Sequence, residues 1–117
     1  MSFEELKDKV LIWAKDKDLL HIKNVPKQFL KFIEEVFEFK RELDISDLRR
    51  FAGDHKEAVL RDIKLEMGDI FVTLIILCEQ IGIDPVECLE MAYEKIKNRK
   101  GRTIGGSFVK EEDLIDD

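Results

Sequence analysis

The sequence is poor in the residues that build disulfide-linked, zinc-bound or loop-rich proteins. Its 117 residues include two cysteines, two histidines, two prolines and six glycines. Neither cysteine belongs to a CxxC pair or a Cys/His cluster, which argues against a structural zinc site. Both lie within apolar helical patterns, so we expect buried free thiols. No apolar run approaches the ~18 residues of a membrane span, and the first residues do not resemble a signal peptide. We therefore expect a cytoplasmic protein with no membrane partner.

Basic residues are in the minority as well. The chain has 20 Lys and Arg against 26 Asp and Glu, a formal net charge of −6. The sequence has no block of basic residues that could neutralise the phosphates of a nucleic acid. We therefore expect no nucleic-acid polymer as a partner. The apolar fraction of 44% is ordinary despite 39% charged residues, so the chain can bury a core. Its length fits one domain over residues 1–117.

Apolar residues recur at three- and four-residue steps in four segments, which predicts four helices. The helices are expected over about 3–16, 26–43, 54–81 and 84–99, followed by a tail over 100–117. Ser46 is expected to cap a separate short helical turn after the second helix, and Gly82 to end the third. Gly105 and Gly106 predict a turn or short hairpin in the tail, before an acidic end. The fold class is therefore all-α, a four-helix bundle-like domain.

Acidic residues are paired at helical spacing on the second and third predicted helices. Glu35 and Glu38 share one face, and Glu66 shares another with Asp69 and, one turn earlier, Asp62. Two acidic faces pressed together would raise one another's pKa values, and a divalent cation such as Mg²⁺ relieves that repulsion.

The acids have two other interpretations. A ferritin-like di-iron site is excluded, because it requires Glu-x-x-His motifs and neither His21 nor His55 stands three residues after a glutamate. The alternative that stays open is a non-enzymatic helical module for oligomerisation or regulation, in which the acids only form solvated helix faces.

Basic residues near the end of the fourth helix supply the opposite charge. Lys95, Asn98 and Arg102 follow one another at three- to four-residue steps, and Lys31 precedes Glu35 by one turn. Cations at a helix C-terminus also interact favourably with the helix dipole, which is the simpler explanation of the first group. Beside an acidic metal site, however, they suit a polyphosphate that bridges to the metal. Acids and a basic rim together are typical of metal-assisted phosphoryl cleavage.

The ordered set resembles the MazG family, within the all-α NTP pyrophosphatase superfamily. That family has ExxE on one helix and ExxD on the next, which here are Glu35-Val36-Phe37-Glu38 and Glu66-Met67-Gly68-Asp69, followed by a basic segment over 95–102. The resemblance covers roughly residues 20–110. Many relatives have glycine where Phe37 stands, and the resemblance implies no particular base preference.

The resemblance implies Mg²⁺-dependent hydrolysis of (deoxy)nucleoside triphosphates to monophosphate and pyrophosphate, as in nucleotide-pool cleaning. It also implies a homodimer or a homotetramer built as a dimer of dimers, with pockets completed by a neighbouring subunit. A dUTPase-like or phosphoribosyl-ATP pyrophosphatase specificity stays open.

Each candidate residue has an expected role. The metal ligands and catalytic acids are Glu35, Glu38, Glu66 and Asp69, which hold Mg²⁺ (Mn²⁺ being a possible substitute) while one of them activates water. The phosphate-binding candidates are Lys31, Lys95, Asn98 and Arg102. His21 and Trp13 are expected to contact the nucleotide. Phe29, Phe37 and Tyr93 are further stacking candidates, and Asp62 a possible outer-shell acid.

Overall fold

The computed structural model describes residues 1–114, and these are mostly helical. Within that range there are four α-helices: α1 (Phe3–Asp16), α2 (Val25–Phe51), α3 (Lys56–Gln80) and α4 (Pro85–Ile96). A two-stranded antiparallel sheet follows, made of β1 (Gly101–Ile104) and β2 (Ser107–Lys110). Short 3-10 turns cover Ile22–Asn24 and Glu111–Asp113. The helical class agrees with the sequence prediction, and the acidic end expected at 115–117 lies outside the described residues.

The chain divides into two compact units, Met1–Pro85 and a second that begins at Val86. In the first unit, the Ser2 hydroxyl caps α1 by accepting a hydrogen bond from the Glu5 amide at 3.1 Å. The buried apolar residues come from α1 and α3, and they are Ala14, Val59, Ile75, Ile76 and Cys78.

Helices α2 and α3 are antiparallel neighbours joined by a short loop. The Gln28 amide at the start of α2 donates to the carbonyl oxygen of Thr73, late in α3, at 3.1 Å. Arg49 near the end of α2 reaches Asp62 early in α3 at 2.9 Å. Residues in the middle of the two helices therefore face each other, which is where the sequence places its paired acids.

The prediction that α2 ends near Asp44 is wrong, because the helix continues to Phe51. Ser46 does not cap a new turn. It is buried within the helix, and its hydroxyl donates to the Leu43 carbonyl oxygen at 2.8 Å. A serine hydroxyl can bond to the preceding turn as readily as it caps the next one. No glycine or proline interrupts the pattern before Gly53, which has φ of +98°.

In the second unit, α4 ends at Ile96, three residues before the predicted end. The Arg99 amide donates to the Ile96 carbonyl at 2.9 Å, which tightens the chain before β1. The two strands are joined by Gly105 and Gly106, whose φ angles of 58° and 83° suit the tight hairpin turn expected there.

The two cysteines differ in burial. Cys78 is buried as expected, whereas the expectation for Cys88 is wrong, because α4 contains no buried residue and leaves that thiol exposed. None of the helices described over residues 1–114 has the length and apolarity that crossing a membrane requires.

Candidate metal and nucleotide site

Three of the four predicted acidic ligands meet between α2 and α3. Glu35, Glu38 and Glu66 each place a carboxylate oxygen within 4.8 Å of the other two. We call these three residues the acid triad. Oxygens bound to one Mg²⁺ are at most about 4.2 Å apart, so the spacing within the triad is close to what a single ion requires.

The triad contains buried oxygen atoms that the protein does not satisfy. Among the described residues, neither Oε2 of Glu35 nor Oε2 of Glu66 has a hydrogen-bond partner, although both atoms are buried. The other oxygen of Glu35 lies 3.2 Å from the Lys31 ammonium group. An unpaired buried carboxylate oxygen is costly, and oxygen is the ligand that Mg²⁺ and Mn²⁺ prefer. The triad therefore fits a hard divalent cation.

The electrostatics of Glu66 lead to the same conclusion. Burial raises the pKa of its carboxyl, and the charges of Glu38, Asp69, Glu35 and Glu42 raise it further. The ionised form of Glu66 is thus disfavoured by its surroundings, and a bound cation would reverse that preference. Hydrogen bonds to Glu35 and Glu34 raise the pKa of Lys31 as well, and for a lysine this favours the charged form.

Asp69, the fourth predicted ligand, is outside the group of three whose oxygens meet the 4.8 Å spacing. Its charge still acts on Glu66, and its side chain lines the cavity described next. Its role as a ligand stays a prediction.

The paired acids extend one turn beyond the triad. Glu42 follows Glu38 on α2, and Asp62 precedes Glu66 on α3. We call this double row the acidic seam; its members are Glu35, Glu38, Glu42, Asp62, Glu66 and Asp69. Asp62, predicted as an outer-shell acid, pairs with Arg49 at 2.9 Å, so Arg49 already balances its negative charge.

A cavity of about 250 Å³ adjoins the triad through Glu35. It is formed by α1, the loop after α1, α2 and α3. Its apolar lining residues are Trp13, Leu19, Val72 and Ile76, and its polar ones are Gln28, Lys31, Glu35, Asp69 and Thr73. The cavity is smaller than the roughly 300–1,000 Å³ of sites that enclose a whole drug-sized ligand, so it suits one flat part of a larger molecule.

Only some of the residues that the sequence predicts to contact the nucleotide line this cavity. Trp13 and Lys31 line it, whereas His21 is not among the lining residues. The His21 ring instead lies 2.5 Å from the Asp18 carboxylate, whose pKa it lowers. Phe37 lines a separate open hollow with Leu30 and Ile33. Phe29 on α2 and Tyr93 on α4 are about half exposed and do not line the cavity.

The predicted phosphate-binding residues of the second unit form their own hollow. Lys95 and Asn98 line it together with Arg99 and Lys100, opposed by Glu111 and Glu112. Arg102 is not among these residues; it lies on β1, paired with Val109 of β2. The early end of α4 explains the difference, since the helical step from Lys95 to Arg102 does not continue beyond Ile96.

Sequence reasoning missed four polar residues near the acids. Gln28 and Thr73 line the cavity, and Glu42 and Arg49 belong to the network beside the triad. Helical spacing could have found three of them: Gln28 lies two turns before Glu35, Thr73 one turn after Asp69, and Glu42 one turn after Glu38. Arg49 could not be found in this way, because its partners come from three different segments.

In comparisons with known proteins, no family model, curated protein or solved structure matches the chain.

Proposed function

We propose that the protein is a Mg²⁺-dependent nucleoside triphosphate pyrophosphohydrolase of the MazG type, with Mn²⁺ able to substitute. The observation that carries the proposal is the acid triad with its two buried, unpaired oxygens on Glu35 and Glu66. A purely structural helix pair has no use for such atoms, since each one costs stability. The motifs ExxE and ExxD add the family resemblance. The proposed role is cleaning of the nucleotide pool in the cytoplasm.

The proposed roles of Glu35 and Glu38 follow from how exposed each side chain is. Glu35 is 7% exposed and bound to Lys31, which suits a fixed ligand. Glu38 is exposed, so solvent water reaches it, and we assign it the role of general base. Mg²⁺, when bound, supplies positive charge that polarises the phosphoryl oxygens.

In the proposed reaction, a water oxygen forms a bond to phosphorus as the bridging bond between the α- and β-phosphates breaks. One water proton passes to the Glu38 carboxylate, and the products are the monophosphate and pyrophosphate. We assign Lys31, which lies beside Glu35, to the phosphates, where its charge offsets the developing negative charge. Lys95, Asn98 and Arg102 stay predictions as further phosphate-binding residues.

We assign the cavity beside the triad to the flat ring of the base. The indole of Trp13 offers a stacking surface, and Gln28 and Thr73 are polar residues of the same lining. The cavity and the triad share Glu35, so a nucleotide with its base in the cavity has its phosphates near the acids.

The proposal includes a homodimer or homotetramer. On α2, Phe29, Leu30 and Phe37 are 50%, 66% and 67% exposed. Leu30 and Phe37 line one open hollow, and an exposed apolar patch of this kind marks an interaction surface. A second copy of the chain is the partner we propose for it.

The test compares Glu38→Gln with Glu34→Gln, an exposed glutamate on the same helix that is not part of the triad. With a panel of NTPs and dNTPs and Mg²⁺, Glu38→Gln should lower pyrophosphate release at least a hundredfold. Glu34→Gln should retain it within a few-fold. Full activity in Glu38→Gln would reject the site. If the wild-type protein shows neither turnover nor stabilisation by Mg²⁺, the non-enzymatic helical module is the better account.

A further inference from the structure

Arg49 binds three carboxylates beside the proposed metal site. Its Nε lies 2.9 Å from Asp54, one terminal nitrogen lies 2.9 Å from Asp62, and the other pairs with Glu42. These partners come from the α2–α3 loop, from α3 and from α2. The Arg49 side chain is 23% exposed and that of Glu42 16%, so the central pair is largely shielded from water.

Two of these partners belong to the acidic seam. Glu42 is four residues after Glu38, and Asp62 is four residues before Glu66, so each shares a helix face with a triad member. Because α2 and α3 are antiparallel, Glu42 and Asp62 occupy the same end of the seam. Arg49 contacts both of them there, and the triad occupies the other part.

The two parts of the seam need cations for the same reason. Carboxylates that face each other repel unless positive charge lies between them, and each part of the seam has one acid shielded from water, Glu42 at one end and Glu35 in the triad. At the Glu42 end the planar guanidinium group supplies that charge, since its five donors serve several carboxylates at once. At the triad no arginine is among the contacts of the described residues, and two oxygens stay unpaired.

We infer that Arg49 is the built-in counter-cation of the acidic seam and confines divalent-cation binding to Glu35, Glu38 and Glu66. Arg49 is thus a positioning residue: it holds Glu42 and Asp62 away from the metal. The inference rests on the proposed function only in taking the triad as the metal site. It excludes Glu42 as a ligand, although helical spacing alone makes Glu42 as good a candidate as Glu35.

The test counts bound Mn²⁺ ions per chain from the electron paramagnetic resonance signal of free Mn²⁺. Arg49→Gln should bind one more Mn²⁺ than the wild type, because it leaves Glu42 and Asp62 without their cation. The extra ion should be lost when Asp62→Asn is added. Arg49→Lys should keep the wild-type number, since one positive charge remains. Arg50→Gln is the matched control; its side chain pairs with Asp47 at 2.5 Å, and it should keep that number too. An unchanged count in Arg49→Gln would overturn the inference.

A second pair of variants keeps the inference testable if Arg49→Gln does not fold. In the otherwise wild-type chain, Glu42→Gln and Asp62→Asn should leave the Mn²⁺ count unchanged, because these acids serve Arg49. Loss of one Mn²⁺ in either variant would overturn the inference. Glu38→Gln in the same titration reports on the triad separately: unchanged Mn²⁺ binding there contradicts the proposed metal site, whatever the Arg49 variants show.

Discussion

Replacing Glu66 by glutamine should stabilise the metal-free protein and remove its response to metal. The pKa of Glu66 is raised by partial burial and by neighbouring acids, and its Oε2 is buried without a partner among the described residues. Glutamine keeps the shape of the side chain, removes its charge, and brings an amide that can donate to a neighbouring carboxylate. The substitution therefore removes repulsion that exists only while the site is empty.

The magnitude follows from the cost of the unpaired group. A buried polar atom without a partner costs about 1–3 kcal/mol, so we expect Glu66→Gln to gain about 1–2 kcal/mol of unfolding free energy in EDTA. For a domain of this size that is a rise in Tm of about 4–8 °C. With Mg²⁺ at a hundred times its Kd, the wild type should gain about 2.7 kcal/mol and the variant nothing. The order of stability of the two proteins therefore reverses when Mg²⁺ is added.

Thermal unfolding followed by circular dichroism, in EDTA and in a Mg²⁺ series, measures both effects. Glu79→Gln is the matched control: an exposed glutamate on α3 away from the triad, whose loss should change Tm little in either condition. A Glu66→Gln protein that is less stable than the wild type in EDTA, or that gains as much from Mg²⁺, would refute the reasoning.

Three further predictions follow from the same site and its surroundings. Trp13→Ala should raise KM for the nucleotide about tenfold, which corresponds to ~1.4 kcal/mol of lost stacking, and should change kcat little. Trp13→Phe should behave like the wild type. An unchanged KM in Trp13→Ala would show that the base does not bind in this cavity. In EDTA, the unfolding free energy of the wild type should decrease relative to that of Glu66→Gln as pH rises above 4.5, the ordinary pKa of that carboxyl. The sign follows because the folded wild type holds more protons than the unfolded chain in that range, and a pH-independent difference between denaturant titrations would contradict it. Phe37→Asp should dissociate the oligomer in sedimentation velocity, since it places a charge on the exposed apolar face of α2; an unchanged mass would exclude that face as the interface.

The sequence predicts those parts of the fold that depend on local signals. The apolar spacing of α1 and α3 and the glycine pair of the hairpin fix structure through neighbours a few residues away. Ser46 shows the limit of such signals, because its hydroxyl can cap a new turn or bond to the turn before it. Which of the two occurs depends on the rest of the helix. Here α2 continues through Arg49, whose side chain pairs with three carboxylates.

The candidate site also has a part that the sequence could predict and a part that it could not. The meeting of Glu35, Glu38 and Glu66 could be predicted, because helical spacing puts acids on one face and a short loop makes the two helices neighbours. The cavity could not be predicted, since Trp13 and Leu19 reach it from segments whose placement depends on packing. The role of Arg49 was missed for the same reason: its partners lie 7, 5 and 13 residues away in sequence.

The products of nucleotide cleavage test the central claim most directly. Wild-type protein should be incubated with a single dNTP and Mg²⁺, and the nucleotide and phosphate products resolved by anion-exchange chromatography and ³¹P NMR. We predict the monophosphate and pyrophosphate in equal amounts, dependent on Mg²⁺ and lost in Glu38→Gln. Release of the diphosphate with orthophosphate would contradict the account.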